Sequence, residues 1–323
     1  MSKALVVTIC AVLATCSAVS VEVAAQSYPA RPLRLVVGFA SGGAVDIAAR
    51  VIANQLMGAI GQNVIVENKP GASGNIAADF VAKTQPDGYT LLIANTTIAT
   101  PSLFSRLPFD INKDIVPVSL VALGPHVFVV QPSFPASNAK ELIALARSKP
   151  KQVLYGSAGV GNISQLEIEL FASMSDISML HVAYKGTAPA LVALMGGEIQ
   201  LVGASIPSAV VQINAGKLKA LGVSTLKRNS VLPNVPTIDE SGLPGYDAAS
   251  WYGLFAPAGV ASDTLQILNR GLLKIMSNAD VREKFARDGF EPVGSNAGEF
   301  SKFIRAEIVK WDKVIKARRL VVE

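Results

Sequence analysis

The chain has 323 residues, which is long enough for two domains of common size. Half of the residues are hydrophobic and 16% are charged, a composition that favours a well-packed globular protein over a disordered one. The formal net charge is +5, and no basic block stands out except the C-terminal "KARRL", so the composition argues against a nucleic-acid-binding protein.

The N-terminal segment "MSKALVVTICAVLATCSAVSVEVAAQS" has the pattern of a secretory signal peptide. Lys3 precedes an apolar run over about residues 4–14, and small residues follow as far as Ala25. We predict cleavage near Ala25 and export of the mature chain. Two alternatives stay open. The apolar run approaches the length of a spanning helix, so it could remain as an anchor, and "LATC" loosely resembles a lipidation site at Cys16.

Both cysteines, Cys10 and Cys16, lie within this segment. Its removal leaves a chain with no disulfide framework, no cysteine nucleophile and no thiolate metal site. No later stretch is apolar enough to span a membrane, so we predict that the exported chain is soluble.

Strand and helix patterns alternate along the first part of the mature chain. The predicted elements are a strand at 33–39, a helix at about 44–57 that stops at Gly58 or Gly61, a strand at 64–67, a helix at about 75–83, and a strand in "PDGYTLLIA". This βαβαβ order indicates a parallel sheet with helices on its faces.

The pattern then restarts. The further predicted strands are "HVFVVQ", "VLYG", "LHVAY", "IQLVGA" and "LKALGVS", and helices are predicted in "AKELIALARSK", at about 163–174, from Ala188-Pro189, and at about 262–277, 280–287 and up to about 318. Asn138 with Glu141, and Asn296 with Glu299, are spaced to cap the helices that follow them.

Two α/β blocks with a helical tail predict two lobes. We place the chain crossings near 124–126 and near 250–251. Lobe 1 is then formed by 26–125 plus 251–323, and lobe 2 by 126–250.

Four strand-to-helix turns are rich in glycine and small hydroxyl residues: "FASGGAVD", "PGASGN", "GSAGVGNIS" and "YKGTAPA". Glycine allows close backbone approach, and the first turn of a helix offers unpaired N–H groups with partial positive charge. Together these features form an anion site. Ligands of open α/β sheets bind at this edge.

The anion is predicted to be a carboxylate. No turn matches GxxxxGK[ST] or GxGxxG, and the first three turns contain no cation except Lys69, just before Pro70. A carboxylate carries a single charge that N–H groups and hydroxyls can hold, and Ser41, Gly42 and Gly43 would supply such donors. Asp46, in the first turn of its helix, is expected to brace that helix.

Candidates for catalysis are few. His126 and His181 each precede an apolar strand, so a structural role is expected for both, and no G-x-S-x-G elbow occurs. H-E-x-x-H and cysteine pairs are absent, so we expect no metal site, and we expect no cofactor. The aromatic cluster of Trp251, Tyr252 and Phe255 is equally consistent with core packing and with a cleft wall.

The sequence resembles the Bug family, the periplasmic solute receptors of tripartite tricarboxylate transporters. The motifs that carry the resemblance span nearly all of the mature chain: "YPARPLRLVVGFASGGAVDIAAR", "VENKPGASGNIAADFVAKTQPDGYTLL", "LPFDINKDIVPVSLVA", "YGSAGVGNISQLEIELF", "HVAYKGTAPALVALMGGEIQLV", "AGKLKALGVST" and "SWYGLFAPAGV". The resemblance implies an α/β protein with the type II periplasmic-binding-protein fold, in which two lobes close on a small carboxylated solute.

The resemblance also implies a set of ligand-binding positions. In the first loop they are Phe39, Ala40, Ser41, Gly42, Gly43 and Asp46. In the second lobe they are Ser157, Gly159, Asn162, Ser164, Gly186, Thr187, Ala188 and Ala204. Part of the carboxylate contact is expected to run through bridging waters.

The chain departs from the family pattern at several of these loops. Gly38 stands where the family usually has proline, Asn162 and Gln165 replace a Ser and a His, and Ala204 replaces an Asp at the strand end "QLVGAS". Loss of that Asp removes an acceptor for an amine. We therefore expect a plain carboxylate or an aromatic acid as the solute.

The sequence thus predicts an exported, non-enzymatic receptor, expected to be monomeric and periplasmic, that delivers a small carboxylate to membrane transporter subunits. Two alternatives stay open: a secreted α/β enzyme acting on a small acid, and a partner that presents its ligand to a membrane sensor. The identity of the solute cannot be predicted from the sequence.

Overall fold

The computed structural model describes residues 28–103 and 107–320. The predicted signal peptide and its cleavage site lie outside these residues. No helix within them is long and apolar enough to cross a membrane.

The chain alternates strands and helices, as the sequence predicts. In chain order the strands are β1 (Leu33–Val37), β2 (Val64–Asn68), β3 (Thr90–Asn95), β4 (Ile115–Val130), β5 (Leu154–Ser157), β6 (Leu180–Ala183), β7 (Leu201–Ser205), β8 (Lys219–Val223), β9 (Ala249–Pro257) and β10 (Glu291–Pro292). The α-helices are α1 (Ala44–Ile60), α2 (Asn75–Ala82), α3 (Ala139–Ser148), α4 (Ile163–Ser175), α5 (Thr187–Gly196), α6 (Ile206–Asn214), α7 (Ser262–Met276), α8 (Ala279–Arg287) and α9 (Ala297–Arg318). Short 3-10 turns occupy Ala72–Gly74, Thr96–Ala99 and Pro101–Leu103.

The strands form two groups that share β4. In the first group β1 lies parallel to β2 and β3, while β9 lies antiparallel to both β3 and β4. In the second group β5 lies parallel to β6 and β7, and β7 and β8 lie antiparallel to β4. The strand order is β2-β1-β3-β9-β4-β7-β5-β6.

β4 changes partners in the middle of its length. Pro125 is the last β4 residue paired with β9, and His126 is the first paired with β7. Gly124 lies opposite Ser250 in the β4–β9 pair, so the two chain crossings run side by side. This change of partners supports the predicted crossings, while the lobe boundaries themselves stay a prediction.

Each strand group is covered by helices on both faces. In the first group α1, α7 and α8 pack on one face, and α2 packs with the start of α9 on the other. In the second group α3 and α4 pack on one face together with the end of α9, and α5 and α6 pack on the other. Helix α9 therefore contributes Phe300 to one core and Trp311 to another.

Local sequence explains the helix boundaries. In α1 the buried residues recur at helical spacing, from Val45 to Leu56, and the helix ends at Gly61, whose φ of 78° closes the last turn onto the Met57 carbonyl. The capping box at Asn296 and Glu299 is confirmed.

Several predicted elements need correction. The first strand ends at Val37 rather than at 39, "HVFVVQ" is the end of the much longer β4, and β9 and α6 were not predicted. Asn138 accepts from the Glu141 N–H as expected. The Glu141 carboxylate, however, accepts from the Ser137 N–H at 2.7 Å and from Asn138 Nδ2 at 2.9 Å rather than from the Asn138 backbone N–H, so the full capping box is not formed there.

Candidate ligand-binding cleft

The first loop, residues 39–43, joins β1 to α1 and presents backbone to solvent. Ala40, Ser41 and Gly42 are exposed, and Gly42 has a φ of 80° that favours glycine. Gly43 is the N-cap of α1 and supplies no side-chain cap. The first N–H groups of α1 are therefore left for another acceptor.

The buried Asp46 side chain stabilises this loop through hydrogen bonds. Its side chain is only 2% exposed, and its Oδ2 accepts from the Gly42 N–H and from Arg50 Nε, both at 2.9 Å. Asn68 Nδ2 donates to Asp46 Oδ1 and to the Phe39 carbonyl, also at 2.9 Å each. The Gly42 N–H is thereby occupied within the loop, and Asp46 has no free face for a ligand.

The pKa of Asp46 follows from these contacts. Burial alone would raise it, but the hydrogen bonds from Arg50, Gly42 and Asn68 favour the charged form and outweigh burial. The pKa of Asp46 is held below its usual range, so the carboxylate is ionised at neutral pH.

The loop between β5 and α4 is closed on itself. Ser164 Oγ accepts from the Ala158 N–H at 2.9 Å and donates to Asn162 Oδ1 at 3.0 Å. Ser157 Oγ lies 3.0 Å from the Gly159 carbonyl. Ser157, Asn162 and Ser164 are all buried, and the contacts of both hydroxyls and of Asn162 Oδ1 fix the shape of the loop. Contact of these three residues with the solute stays a prediction.

Ser157 also contacts a histidine. Its Oγ lies 2.6 Å from Nε2 of His181, and the His181 ring stacks on Tyr155 at 5.0 Å between centroids. Burial lowers the pKa of His181, which favours the neutral imidazole. The Ser157 side chain is fully buried and His181 is half-buried, so the pair is part of the packing beneath the loop.

The loop before α5 keeps its backbone donors free. Gly186 is the N-cap, with a φ of 124° and no side-chain cap, and it is followed by half-buried Thr187 and exposed Ala188. This helix start therefore resembles that of α1. In both helices the N-cap residue is glycine, and the first N–H groups have no side-chain acceptor. Such N-termini attract anions.

The loops of the two strand groups meet across the cleft. Ser73 Oγ, in the turn before α2, donates to the Val160 carbonyl at 3.1 Å, and Val160 belongs to the loop before α4. The Ser73 turn is tightly wound, because residues 71–74 all have positive φ. This contact joins the turn before α2 directly to the loop before α4.

A small cavity lies behind the first loop. It has a volume of about 10 Å³, enough for one water-sized group. The residues that line it are Gly38, Phe39, Ser73, Gly74, Asn75, Leu92, Ile93, Ala94, Asn95 and Ile98. Asn75 is 5% exposed, and its Nδ2 has no hydrogen-bond partner among the described residues. An unpaired buried donor costs about 1–3 kcal/mol.

The remaining candidates lie away from the cleft surface. Ala204 is fully buried in β7, opposite Val127 of β4. Trp251, Tyr252 and Phe255 are each about 1% exposed in β9, so of the two interpretations left open by the sequence the core one holds. The part of the chain that the structure describes contains no cluster of three or more His, Cys, Asp or Glu side chains suited to a metal.

Sequence reasoning missed Ser73, Asn75 and Asn68. The turn "PGASGN" was singled out as a loop of the right kind, which was the available signal for Ser73 and Asn75. Nothing local in the sequence indicates that Asn68, at the end of β2, reaches the Phe39 carbonyl 29 positions earlier.

Two α/β halves joined by neighbouring crossings, each with a helix that begins at an uncapped glycine, are the arrangement typical of a solute-binding protein. The family model described as tripartite tricarboxylate transporter family receptor matches residues 48–320, and the chain belongs to this family. The expected resemblance is thus confirmed. Members of this family are solute-binding receptors and not enzymes.

Similar proteins agree on fold and family. Protein BugT of Bordetella pertussis is 34% identical over 301 residues, which cover 92% of each chain. The structure titled "R. palustris Rpa4515 with adipate" has 35% identity and a TM-score of 0.86, covering 91% of this chain and 99% of that one. MatC of Rhodopseudomonas palustris, with bound malate, has 31% identity and a TM-score of 0.81, covering 89% and 100%. The type II periplasmic-binding-protein fold is confirmed by these neighbours.

Proposed function

We propose that the protein captures a small carboxylated solute in the cleft between its lobes and delivers it to membrane transporter subunits. The observation that carries the proposal concerns the N-termini of α1 and α5. Each has glycine as its N-cap residue, and in neither does a side chain accept from the first N–H groups. Relatives solved with adipate and with malate support the same ligand class.

Backbone donors, rather than cations, are proposed to hold the carboxylate. The nearest cations in the first lobe are already paired: Arg50 with Asp46 at 2.9 Å, and Lys69 with Glu67 at 2.8 Å. A single carboxylate is compatible with N–H groups at two helix starts, whereas a diphosphate would require more positive charge.

The predicted site residues divide into two roles in this proposal. Ala40, Ser41, Gly43, Thr187 and Ala188 offer exposed or half-exposed groups to the solute. The other residues are proposed to fix the shape of the loops. They are Phe39, Gly42, Asp46, Ser157, Gly159, Asn162, Ser164 and Gly186. Ala204 is removed from the proposed contacts because it is buried.

An exported, monomeric form is also part of the proposal. The family's receptors act in the periplasm, which fits the signal-peptide pattern before Ala25. We propose lobe 1 as 26–125 plus 251–323 and lobe 2 as 126–250. A binding cleft complete within one chain needs no second copy.

The proposal is tested by removing one backbone donor. Native purification followed by denaturing mass spectrometry identifies the retained acid, and titration calorimetry with that acid compares two proline variants. Ala44→Pro deletes the first N–H of α1 at a position where proline suits a helix, since Gly43 has the extended ψ of 166° that a following proline requires. We expect the affinity to fall about 10-fold or more, as for a lost charge-assisted bond.

Ser262→Pro is the matched control, because Ser262 is the first residue of α7, in another part of the molecule. It should leave the affinity unchanged. Equal affinities in both variants, or a retained solute without a carboxylate, would contradict the proposed function.

A further inference from the structure

His181 lies beneath the loop before α4 and contacts it directly. Its Nε2 lies 2.6 Å from Ser157 Oγ, the side chain at the start of that loop. In the pair of β5 and β6, Ser157 lies opposite Ala183, and Gly186, the N-cap of α5, follows three residues later. His181 is therefore a titratable side chain placed below two of the loops that form the proposed cleft.

The contacts of the Ser157 hydroxyl decide which way its hydrogen bond to His181 runs. Ser157 Oγ accepts from the Gly159 N–H at 3.2 Å and lies 3.0 Å from the Gly159 carbonyl. A hydroxyl has one proton to donate. If that proton goes to His181, the Gly159 carbonyl faces Oγ with no proton between them. If it goes to the carbonyl, every contact is satisfied once His181 Nε2 carries a proton. The geometry therefore favours Nε2–H as the donor to Ser157.

Nδ1 of His181 is then the position where a second proton is added. No residue that the structure describes forms a hydrogen bond with Nδ1, and His181 is only half-buried, so solvent can supply the proton. Protonation at Nδ1 keeps the bond from Nε2 to Ser157, because an imidazolium donates from both nitrogens. The loop keeps its hydrogen bonds, and a positive charge is added beneath it.

The groups packed around His181 balance that charge only in part. Tyr155, from β5, stacks on the ring at 5.0 Å between centroids, and burial raises the pKa of its phenol, so it stays neutral. Glu169, from α4, is negative, but it already accepts from Tyr155 and, at 2.6 Å, from Arg318 Nε of α9. Lys185, exposed just after β6, is a further cation. A protonated His181 therefore adds net positive charge below the loop.

Given the proposed function, on which this inference rests, we propose that His181 is a positioning residue for the loop before α4 and that its protonation at Nδ1 tightens the binding of the carboxylate. The cleft otherwise holds its anion with backbone donors, because Arg50 and Lys69 are already paired. Five residues separate His181 from Gly186, at most about 16 Å of extended strand. Unit charges about 16 Å apart, at an effective dielectric constant of about 20, change an affinity by about 5-fold.

The direction of the pH dependence follows from the state of His181 in the free protein. Burial lowers the pKa of His181 below the usual histidine value of about 6.5, and the charge of Glu169 offsets this only in part. An anion bound in the cleft favours the charged imidazole, so it raises the pKa of His181. Binding is then tightest below the pKa of the free protein, and it weakens as the pH rises through the higher pKa of the complex.

Titration calorimetry of the mature protein between about pH 5.5 and about pH 8, a range that spans the usual histidine value, tests the proposal. The probe is the carboxylic acid that mass spectrometry identifies in natively purified protein, added back after its removal, at an ionic strength of about 0.01 M. The native protein should bind it about 3-fold or more tightly at the acid end of the range. Binding there should also take up a fraction of a proton, seen as an enthalpy that changes with the ionisation enthalpy of the buffer.

His181→Gln and His181→Leu separate the charge from the hydrogen bond. Glutamine places an amide N–H near the position of Nε2, so it can donate to Ser157 but cannot take up a proton. At the alkaline end of the range His181→Gln should bind the acid more tightly than His181→Leu, and neither should gain affinity on acidification. Glu167→Gln is the control, because Glu167 is a buried acid on α4 whose pKa is raised. This control should keep the native gain.

Three results would overturn the inference. They are a native affinity that does not change over the pH range, a gain on acidification that persists in His181→Gln, and a gain that is lost in Glu167→Gln, which would assign the proton to Glu167. If His181→Leu does not fold, the comparison of native protein with His181→Gln decides alone. Failure of the proposed function is a different result, because then no carboxylic acid binds the native protein at any pH, and the inference falls with it.

Discussion

Asp46 connects loop shape with ligand affinity. It satisfies the Gly42 N–H, Arg50 and Asn68 at once, so replacing it loosens the whole first loop. Asp46→Asn should lower the free energy of unfolding by about 1–2 kcal/mol, measured by urea unfolding at neutral pH. The affinity for the retained acid should fall as well. The control is Asp263→Asn, an exposed acid in the first turn of α7, for which only the smaller helix-dipole effect is expected.

Asp46 should also make the free energy of unfolding depend on pH in the acid range. The pKa of Asp46 is lower in the folded chain than in the unfolded chain, so its contribution is present above the usual Asp pKa of about 3.9 and is lost as the pH falls below it. The difference in stability between native protein and Asp46→Asn should shrink on acidification. A difference that stays constant down to about pH 2.5, well below that usual value, would contradict this explanation.

Glu167 should make the free energy of unfolding change with pH in the opposite direction. It is fully buried, its Oε1 lies 2.6 Å from His126 Nδ1, and its Oε2 has no partner among the described residues. Burial raises the pKa of Glu167, with His126 opposing in part. Stability linked to Glu167 is therefore greatest at low pH and is lost as the pH rises through the raised pKa.

Glu167→Gln removes this proton linkage. Relative to the native protein, the variant should gain stability as the pH rises above the usual Glu value of about 4.3, by at most about 1.4 kcal/mol per pH unit. Urea unfolding at a series of pH values measures this. Exposed Glu283, on α8, supplies the control Glu283→Gln, which should show no such gain. A flat difference between native protein and Glu167→Gln would be inconsistent with a raised pKa.

At the residue scale the sequence predicted some roles and not others. Asp46 was expected to brace its helix, because an acid in the first turn is a local signal. Contact of Ser157 and Ser164 with the ligand stays a prediction, but the structure shows what the sequence did not, that both hydroxyls already form hydrogen bonds within their own loop. The direction of a hydroxyl depends on how the loop closes, and that information is not contained in the identity of the residue.

At the scale of elements, the approach of two loops depends on paired glycines. A Cβ on Gly38 would lie 2.5 Å from the Gly74 Cα, a backbone atom that cannot move aside as a side chain can. Gly38→Ala should therefore push apart the first loop and the turn at 72–74, and lower ligand affinity about 10-fold or more through this 1 Å-scale displacement.

Gly58→Ala is the matched control for that substitution. Gly58 lies inside α1, and a Cβ there meets nothing within 4 Å. Alanine should stabilise the helix by about 0.5–1 kcal/mol without changing affinity. Unchanged affinity in Gly38→Ala, measured by calorimetry, would show that the close approach is not needed for binding.

The elements that sequence reasoning missed have ambiguous local patterns. "IPSAVVQIN", which forms α6, is a short apolar run that fits either a strand or a helix. The part of β4 before His126 contains Pro117 and Pro125, which argue against a regular strand. The pairing with β9 shifts register after Pro117, where an irregularity accommodates the proline. The regular βαβ units, by contrast, were predicted closely, because strand and helix periods alternate clearly there.

At the scale of the whole molecule, lobe motion is constrained by what crosses between the halves. β4 and β9 run side by side at the crossing. Helix α9 begins on one core and ends on the other. At its end Arg318 Nε lies 2.6 Å from Glu169 Oε2. If the proposed lobes close on the solute, we expect a modest rotation about these elements.

We propose that the contact from Ser73 to Val160 belongs to a closed form, which ligand should favour. Small-angle scattering should give a smaller radius of gyration with saturating acid than without it. Ser73→Ala removes the cross-lobe bond, so its ligand-free form should be at least as open as the native one. An identical radius with and without ligand would contradict ligand-driven closure.

The most direct test of the central claim is a crystal structure of the protein purified with its retained solute. We expect a small acid whose carboxylate lies within hydrogen-bond distance of the N–H groups that open α1 and α5, with Asp46 still turned toward Arg50 and Asn68. A solute bound outside the cleft, or one held in the cleft without a carboxylate at these helix starts, would contradict the account.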